Sequence, residues 1–249
     1  MPSKSKAEAN RLDQHNRQQI EYYSRFIKAT MKPEETRYIS RQLDELISVG
    51  AVSKRHRILE VGCGMGRFTI AMARRGYNDL EGMDITPFLL ERFDEFNNGE
   101  FAIPTFCADI QKPISEREDR YDRIVGFMVL HHFKDLSASF KTMYSLLKPG
   151  GKIVFLEPNA LNALYYIQIT LTPGMTWQGD GGVANMRKNL LFKAISNVGF
   201  TELNLKRWGF FPPVISNTGA GAKVERILEK FPPWKSFLPF QLISATKPD

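Results

Sequence analysis

Cysteine is nearly absent: Cys63 and Cys107 are the two in 249 residues, too few for a disulfide framework and compatible with a reducing compartment. Long apolar runs are missing as well, and none reaches the roughly 18–20 residues of a bilayer-spanning helix. Met1 to Asn10 is polar and basic, without the apolar core of a secretory signal, so a cytoplasmic location is expected. No internal repeat is visible. No spacing of histidine and cysteine suggests zinc, so no metal is expected. A chain with 43% hydrophobic and 24% charged residues is globular in composition, which excludes collagen-like and disordered classes.

Acid is the scarcer charge, with 27 Asp and Glu against 34 Lys and Arg. The surplus is uneven: residues 1–57 hold 12 basic and 7 acidic side chains, and the rest is nearly neutral. A nucleic-acid enzyme needs a basic groove beside its site, not a basic arm, so nucleic acid is not the expected partner. The length suits one large α/β domain.

Residues 1–15 read as a flexible basic leader and 16–50 as an N-terminal helical lid. Within that lid, Ile20, Tyr23 and Ile27 share one face of a helix spanning about Arg17 to Thr30, which Pro33 ends. Ile39, Leu43, Leu46 and Ile47 recur at helical spacing up to Val49-Gly50. From residue 51 to 249 the pattern changes to strands alternating with helices. Strands are expected at 57–61, 79–84, 103–107, 121–128, 152–157, 201–208 and 240–246. Helices are expected at 68–75, 87–97, 137–147, 186–198 and 223–230, and the turn Lys148-Pro149-Gly150-Gly151 separates a helix from the fifth strand. Such alternation gives a mostly parallel sheet covered on both faces. Residues 160–185, with Leu161–Leu171 and Gly179-Asp180-Gly181-Gly182, form an insertion after strand five, expected as a cap over the sheet's carboxyl edge.

The segment Ile58-Leu-Glu-Val-Gly62-Cys-Gly64-Met-Gly66-Arg-Phe68 joins a buried strand to a helix through three glycines. Such a turn admits a ligand close to the backbone and offers unpaired N–H groups, although plain packing also favours glycine. The spacing is G-x-G-x-G, with Arg67 where a dinucleotide fingerprint needs its third glycine, and no Walker lysine follows. Strand two ends in Asp84, an acid suited to ribose hydroxyls, and strand three leads to Asp109-Ile110, suited to an adenine edge.

These motifs, with Tyr121-Asp122 to His131-His132-Phe133 and Leu147-Lys-Pro-Gly-Gly-Lys-Ile-Val, resemble the class I S-adenosylmethionine-dependent methyltransferase family, closely over about 57–157. The resemblance implies a doubly wound seven-stranded Rossmann-like sheet whose last strand inserts antiparallel. It also implies S-adenosylmethionine as cofactor, with Gly62, Gly64 and Gly66 beside its methionine part and Glu60 orienting the loop or the amino group. Asp84 would hold the ribose, Ile85 would pack on the adenine, and Asp109 and Ile110 would read it. Gly126, Phe127 and Met128 would line the floor beneath the sulfonium.

Methyl transfer needs alignment and exclusion of water, and a base only where the acceptor must lose a proton. His131 and His132, after strand four, and Glu157, ending strand five, are the catalytic candidates. Each has a structural alternative, a satisfied histidine or a capping carboxylate. Tyr22, Tyr23 and Phe26 form either a lid on the sulfonium or a packed helix face. Tyr165, Tyr166, Met175, Trp177 and Asp180, with Trp208, Phe210 and Phe211 in support, either line the acceptor pocket or seal the insertion. Trp177 beside glycines suggests a flap. Leu161–Leu171 is also open to a membrane surface or a second subunit. Both cysteines read as buried and inert. The expected acceptor is a small molecule methylated on O, N or C. A peptide or protein terminus is the enzymatic alternative, and a binding protein without turnover is the other. A monomer or homodimer is expected.

Overall fold

The computed structural model describes residues 4–25, 27, 31–171 and 175–249, with side chains for 10–24, 27, 31–171, 175–177, 179–231 and 233–249. Its centre is a seven-stranded sheet in the order β3-β2-β1-β4-β5-β7-β6. The strands are β1 Ile58–Val61, β2 Leu80–Asp84, β3 Thr105–Cys107, β4 Tyr121–Phe127, β5 Leu147–Pro158, β6 Thr201–Trp208 and β7 Phe240–Thr246. β7 runs antiparallel between β5 and β6, and the β1–β5 pairings are parallel. The predicted order of strands and helices is the observed one.

Alternation within single strands shows why both faces are covered. Ile124 of β4 and Ile153 and Phe155 of β5 face one core, under α5 Leu136–Leu146 and α8 Lys188–Ser196. Val125, Val154 and Leu156 face the other, under α2 Arg37–Gly50 and α3 Thr69–Arg74. A period of two places successive side chains on opposite sides, so strands buried on both faces read as continuous apolar runs. α4 Pro87–Asn97 follows β2, with Pro at its first position.

Several boundaries differ from expectation. α1 spans Lys4–Arg25, so helix begins inside the expected leader; no proline or glycine stands between Ser3 and Met31 to stop it. Phe26 and the end of that predicted helix lie outside the described residues. α2 packs by Ile39, Leu43 and Leu46 onto the sheet face with Val154 and Leu242, and Thr36 caps it by accepting from the Ile39 N–H. It is a core helix, and of the two N-terminal helices α1 is the one that reaches the strand ends. The turn 148–151 is absorbed into β5 as an irregularity in its pairing with β4. Cys107 is exposed, against expectation, because β3 is a sheet edge, whereas Cys63 is buried.

After β5 come α6 Ala163–Leu171, the short α7 Trp177–Asp180 and a helical turn at 181–185. α9 Pro213–Ser216 and α10 Gly219–Leu228 follow β6. Among the described residues no helix is long and apolar enough to cross a membrane.

Candidate active site

The carboxyl ends of β1, β2, β4 and β5 meet beneath α1 and the 176–185 segment. Two of the three glycines of the first loop are crowded and the third is not. A Cβ on Gly62 would sit 2.3 Å from Val129, and one on Gly66 would strike Ile70 and Phe93. A Cβ on Gly64 would meet no atom within 4 Å, although its φ of +52° still favours glycine. Gly62 and Gly66 also take left-handed φ values, +73° and +87°, so packing and backbone conformation both require glycine there. Gly64 faces open space of the kind a ligand would fill.

Asp84 closes this space from β2. Its Oδ2 accepts from the Gly64 N–H at 3.0 Å and its Oδ1 from the Thr86 N–H at 2.8 Å. Burial raises the affinity of this carboxyl for its proton, and those backbone donors oppose the rise. Glu60, fully enclosed and bonded by the Thr69 hydroxyl, is pushed up to about 8, mainly by burial, with the nearby Asp84 charge adding to it. Ile85 extends from β2, its carbonyl accepting from Cys107.

Asp109 lies at the far end of the site, after β3. Its Oδ2 accepts from Asn16 Nδ2 of α1 at 2.7 Å, and its Oδ1 from the Gln111 N–H. Ile110 is buried beside it. Gly126 leaves room for Phe155, which a Cβ would meet at 2.3 Å. Phe127 stacks on Phe68 with ring centres 3.5 Å apart. Met128 takes a left-handed φ of +53°, an uncommon conformation for a side chain that turns β4 into the histidine segment.

That turn carries the catalytic candidates. Glu157 is fully buried; its Oε1 accepts from the Val129 and Leu130 N–H groups, each at 2.8 Å, and its Oε2 lies 2.7 Å from His131 Nδ1. Since the carboxylate accepts, Nδ1 carries the proton, and Nε2 remains the basic atom of the neutral ring. His132 lies next to it, ring centres 4.0 Å apart. Its Nδ1 donates to the Gly179 carbonyl, so its Nε2 accepts from the Tyr23 hydroxyl at 3.0 Å. Burial raises the Tyr23 phenol well above its ordinary value, and Asp180, Tyr22, Tyr165 and Asp84 add to the rise.

Of the acceptor candidates, Tyr22 and Tyr23 meet edge to face at 5.0 Å, and Tyr165 approaches His131 at 6.5 Å. Tyr166 stacks with the exposed Trp177 at 6.0 Å and donates to the Ala160 carbonyl. Asp180 is buried and accepts from the Thr176 N–H. Trp208 lies elsewhere: it is packed in the core against Phe240, with the Arg41 guanidinium 5.0 Å from its ring. The Phe210 and Phe211 N–H groups donate to Glu225, away from the histidines.

Four participants escaped the sequence reading. Asn16 and His15, which donates to the His132 carbonyl at 2.8 Å, fell at the edge of the supposed leader. The spacing of Asn16, Gln19 and Tyr23, one helix face, was the available signal. Thr69 and Gly182 gave none; a Cβ on Gly182 would lie 1.8 Å from the His131 carbonyl oxygen. One grouping with metal-ligand chemistry also appears: His131, His132 and Asp180 present ligand atoms within 4.8 Å of one another.

Residues 12–194 match a family model described as a methyltransferase domain. The hybrid PKS-NRPS synthetase mycA of Thermothelomyces thermophilus is 32% identical over 151 residues, 56% of this chain and 4% of that protein. The ubiquinone biosynthesis O-methyltransferase of Xanthomonas axonopodis pv. citri is 27% identical over 141 residues, 56% of this chain and 55% of that protein. This chain therefore spans a small fraction of the synthetase and about half of the second enzyme. A Thermotoga maritima structure titled as a SAM-dependent methyltransferase, possible histamine N-methyltransferase, shares the fold with a TM-score of 0.63 at 15% identity, covering 92% of this chain and 99% of its own. With the matched family model, the sheet order and the glycine loop in agreement, the chain belongs to the class I S-adenosylmethionine-dependent methyltransferases.

Proposed function

We propose that the protein methylates a carbon or oxygen acid of a small molecule, without a metal, using His131 as general base. The observation that carries this reading is the hydrogen bond from His131 to a Glu157 with no exposure and two further backbone donors. A carboxylate so held fixes the imidazole tautomer and steadies the imidazolium formed when Nε2 takes a proton. A neutral amine needs no such base before it attacks, whereas an enolisable carbon or a hydroxyl does.

S-adenosylmethionine, bound along the glycine loop, supplies an electrophilic methyl group. Gly64 and Asp84 would hold its central part, Glu60 its amino group, and Asp109 and Ile110 its adenine. The open side of Gly64 fits this assignment. Tyr23 and Gly179 hold His132 from opposite elements, and the 160–185 insertion with α1 would act as a cap that excludes water. Enclosure by two elements suits a small acceptor. Glu157 is too deeply buried to receive the amine of a peptide terminus. Both nitrogens of His132 are already hydrogen-bonded, which favours its service as a wall over metal ligation.

The relative named as a ubiquinone biosynthesis O-methyltransferase supports an oxygen acceptor on a small molecule. The test uses cofactor labelled in its methyl group and a panel of β-dicarbonyl and phenolic compounds. The parent should label a small molecule, and His131→Ala should lose at least about a hundredfold in turnover while still binding the cofactor. Label found in polypeptide alone, or a His131→Ala protein as fast as the parent, would overturn the reading.

A further inference from the structure

The segments that follow β5 and β6 leave an unusual amount of apolar surface in water. From Leu161 to Gly179 the sequence has no charged residue. Leu161, Leu164, Ile167 and Leu171 recur at helical spacing along α6 and its lead-in and are all exposed, Leu164 to 67% and Leu171 to 74%. A stripe of this kind normally faces a core; here it faces outward.

A second segment continues the patch. Asn162 Nδ2 donates to the Phe237 carbonyl, and Asn159 Nδ2 to those of Ser236 and Leu238, which tie the start of α6 to residues 236–238. Phe231, Trp234 and Phe237 are exposed there, Phe237 to 58%. Charge around them has one sign. Glu225 and Glu229 turn inward to Arg41, so the outward charges of 223–235 are Lys223, Arg226, Lys230 and Lys235, none ion-paired among the described residues.

A cavity of about 360 Å³ opens at the edge of this patch, sharing Leu161 with it. Arg187, Lys188 and Arg207 line it, without an acidic residue among the described lining. Arg207 Nε is buried with no hydrogen-bond partner, and none of the three cations forms an ion pair among the described residues. An apolar face edged by Lys223, Arg226, Lys230 and Lys235, beside a largely apolar cavity bordered by three more cations, has the chemistry of a helix lying in a lipid interface.

We infer that this face docks on an anionic phospholipid surface. The α6 stripe and Phe231, Trp234 and Phe237 enter the acyl boundary, and Arg187, Lys188 and Arg207 take a headgroup phosphate. Aromatic residues and lysines at the headgroup level suit this placement. A second copy of the chain is the poorer occupant, because a two-fold contact would bring like cations together.

The test is co-sedimentation of the full chain with vesicles of phosphatidylcholine, and of phosphatidylcholine mixed equally with phosphatidylglycerol. The parent should pellet with the anionic vesicles at low salt, not with the neutral ones, and be released by near-molar salt. Arg187→Gln/Arg207→Gln should lower the partition coefficient by about fivefold for each cation removed, and Leu164→Glu/Leu171→Glu should abolish pelleting. Both variants should keep the parent's thermal transition. The emission of Trp234, isolated by difference with Trp234→Phe, should move to the blue on binding, a readout that needs no destabilising change. A parent that stays in the supernatant with anionic vesicles at low salt overturns the proposal. So do variants that pellet like the parent, or a vesicle-free dimer that Leu164→Glu dissolves while no lipid binding is seen.

Discussion

Replacing Glu60 by glutamine should stabilise the protein in alkaline solution and weaken its grip on the cofactor. Glu60 is enclosed at the end of β1, bonded by Thr69, and its carboxyl is pushed up to about 8 from an ordinary 4.5. The sign follows from proton counting. Below pH 4.5 both folded and unfolded chains hold this proton, and Glu60 adds no pH dependence. Between 4.5 and about 8 the unfolded chain has released it and the folded chain keeps it, so stability falls as pH rises, by 1.36 kcal/mol for each pH unit. Across that window the loss is about 5 kcal/mol, and above it the contribution is constant. Glutamine never ionises, so Glu60→Gln lacks this slope. Urea unfolding at about pH 5 and about pH 8 measures it: the variant's advantage over the parent should grow by several kcal/mol between the two. Glu60 can give up its proton when the cofactor's ammonium group binds beside it and glutamine cannot, so calorimetry should show weaker S-adenosylmethionine binding, a trade of stability against function. Parallel pH profiles for the two proteins would refute the reasoning at its root.

Other outcomes follow from single contacts. Glu157→Gln places an amide beside His131 Nδ1; if its N–H donates there, the proton moves to Nε2 and the base is lost. Turnover should fall by about 10³–10⁴-fold, measured as release of the demethylated thioether, with cofactor affinity little changed. Gly64→Ala meets no neighbour but sits at a φ of +52°, so it should cost about 1–2 kcal/mol in urea unfolding and still reduce cofactor affinity more than about tenfold, roughly 1.4 kcal/mol. Gly182→Ala drives a methyl group into the His131 carbonyl at 1.8 Å; overpacking of about 1–3 kcal/mol should lower the melting temperature by about 2–12 °C.

The sheet was legible because each central strand is buried on both faces and so announces itself as an unbroken apolar run, as in Val125 and Ile124 or Val154 and Phe155. The strand-end acids were legible because Asp84 closes β2 and Asp109 follows β3 by two positions. What the helices do was harder to read. The spacing of Ile39, Leu43 and Leu46 marked a buried face but could not say whether it covered the sheet or the site, and it covers the sheet. α1 is polar along much of its length and docks by amide and phenol groups, so an apolar-periodicity search finds only its second half. Gly182 was invisible because its reason is a backbone approach between residues 51 positions apart in sequence. Trp208 misled because an aromatic at a strand's carboxyl end is equally at home in the core.

One rod touches both extremities of the cleft. Asn16 reaches Asp109 and Tyr23 reaches His132, seven positions along the same helix, or roughly 10 Å of helical rise. On the proposed roles, with Asp109 at the nucleobase and His132 at the reacting end, the second half of α1 would act as a latch with two fastenings. Release of the spent thioether would then require both fastenings to open, which would make the pace of the catalytic cycle a property of this helix as much as of the histidines.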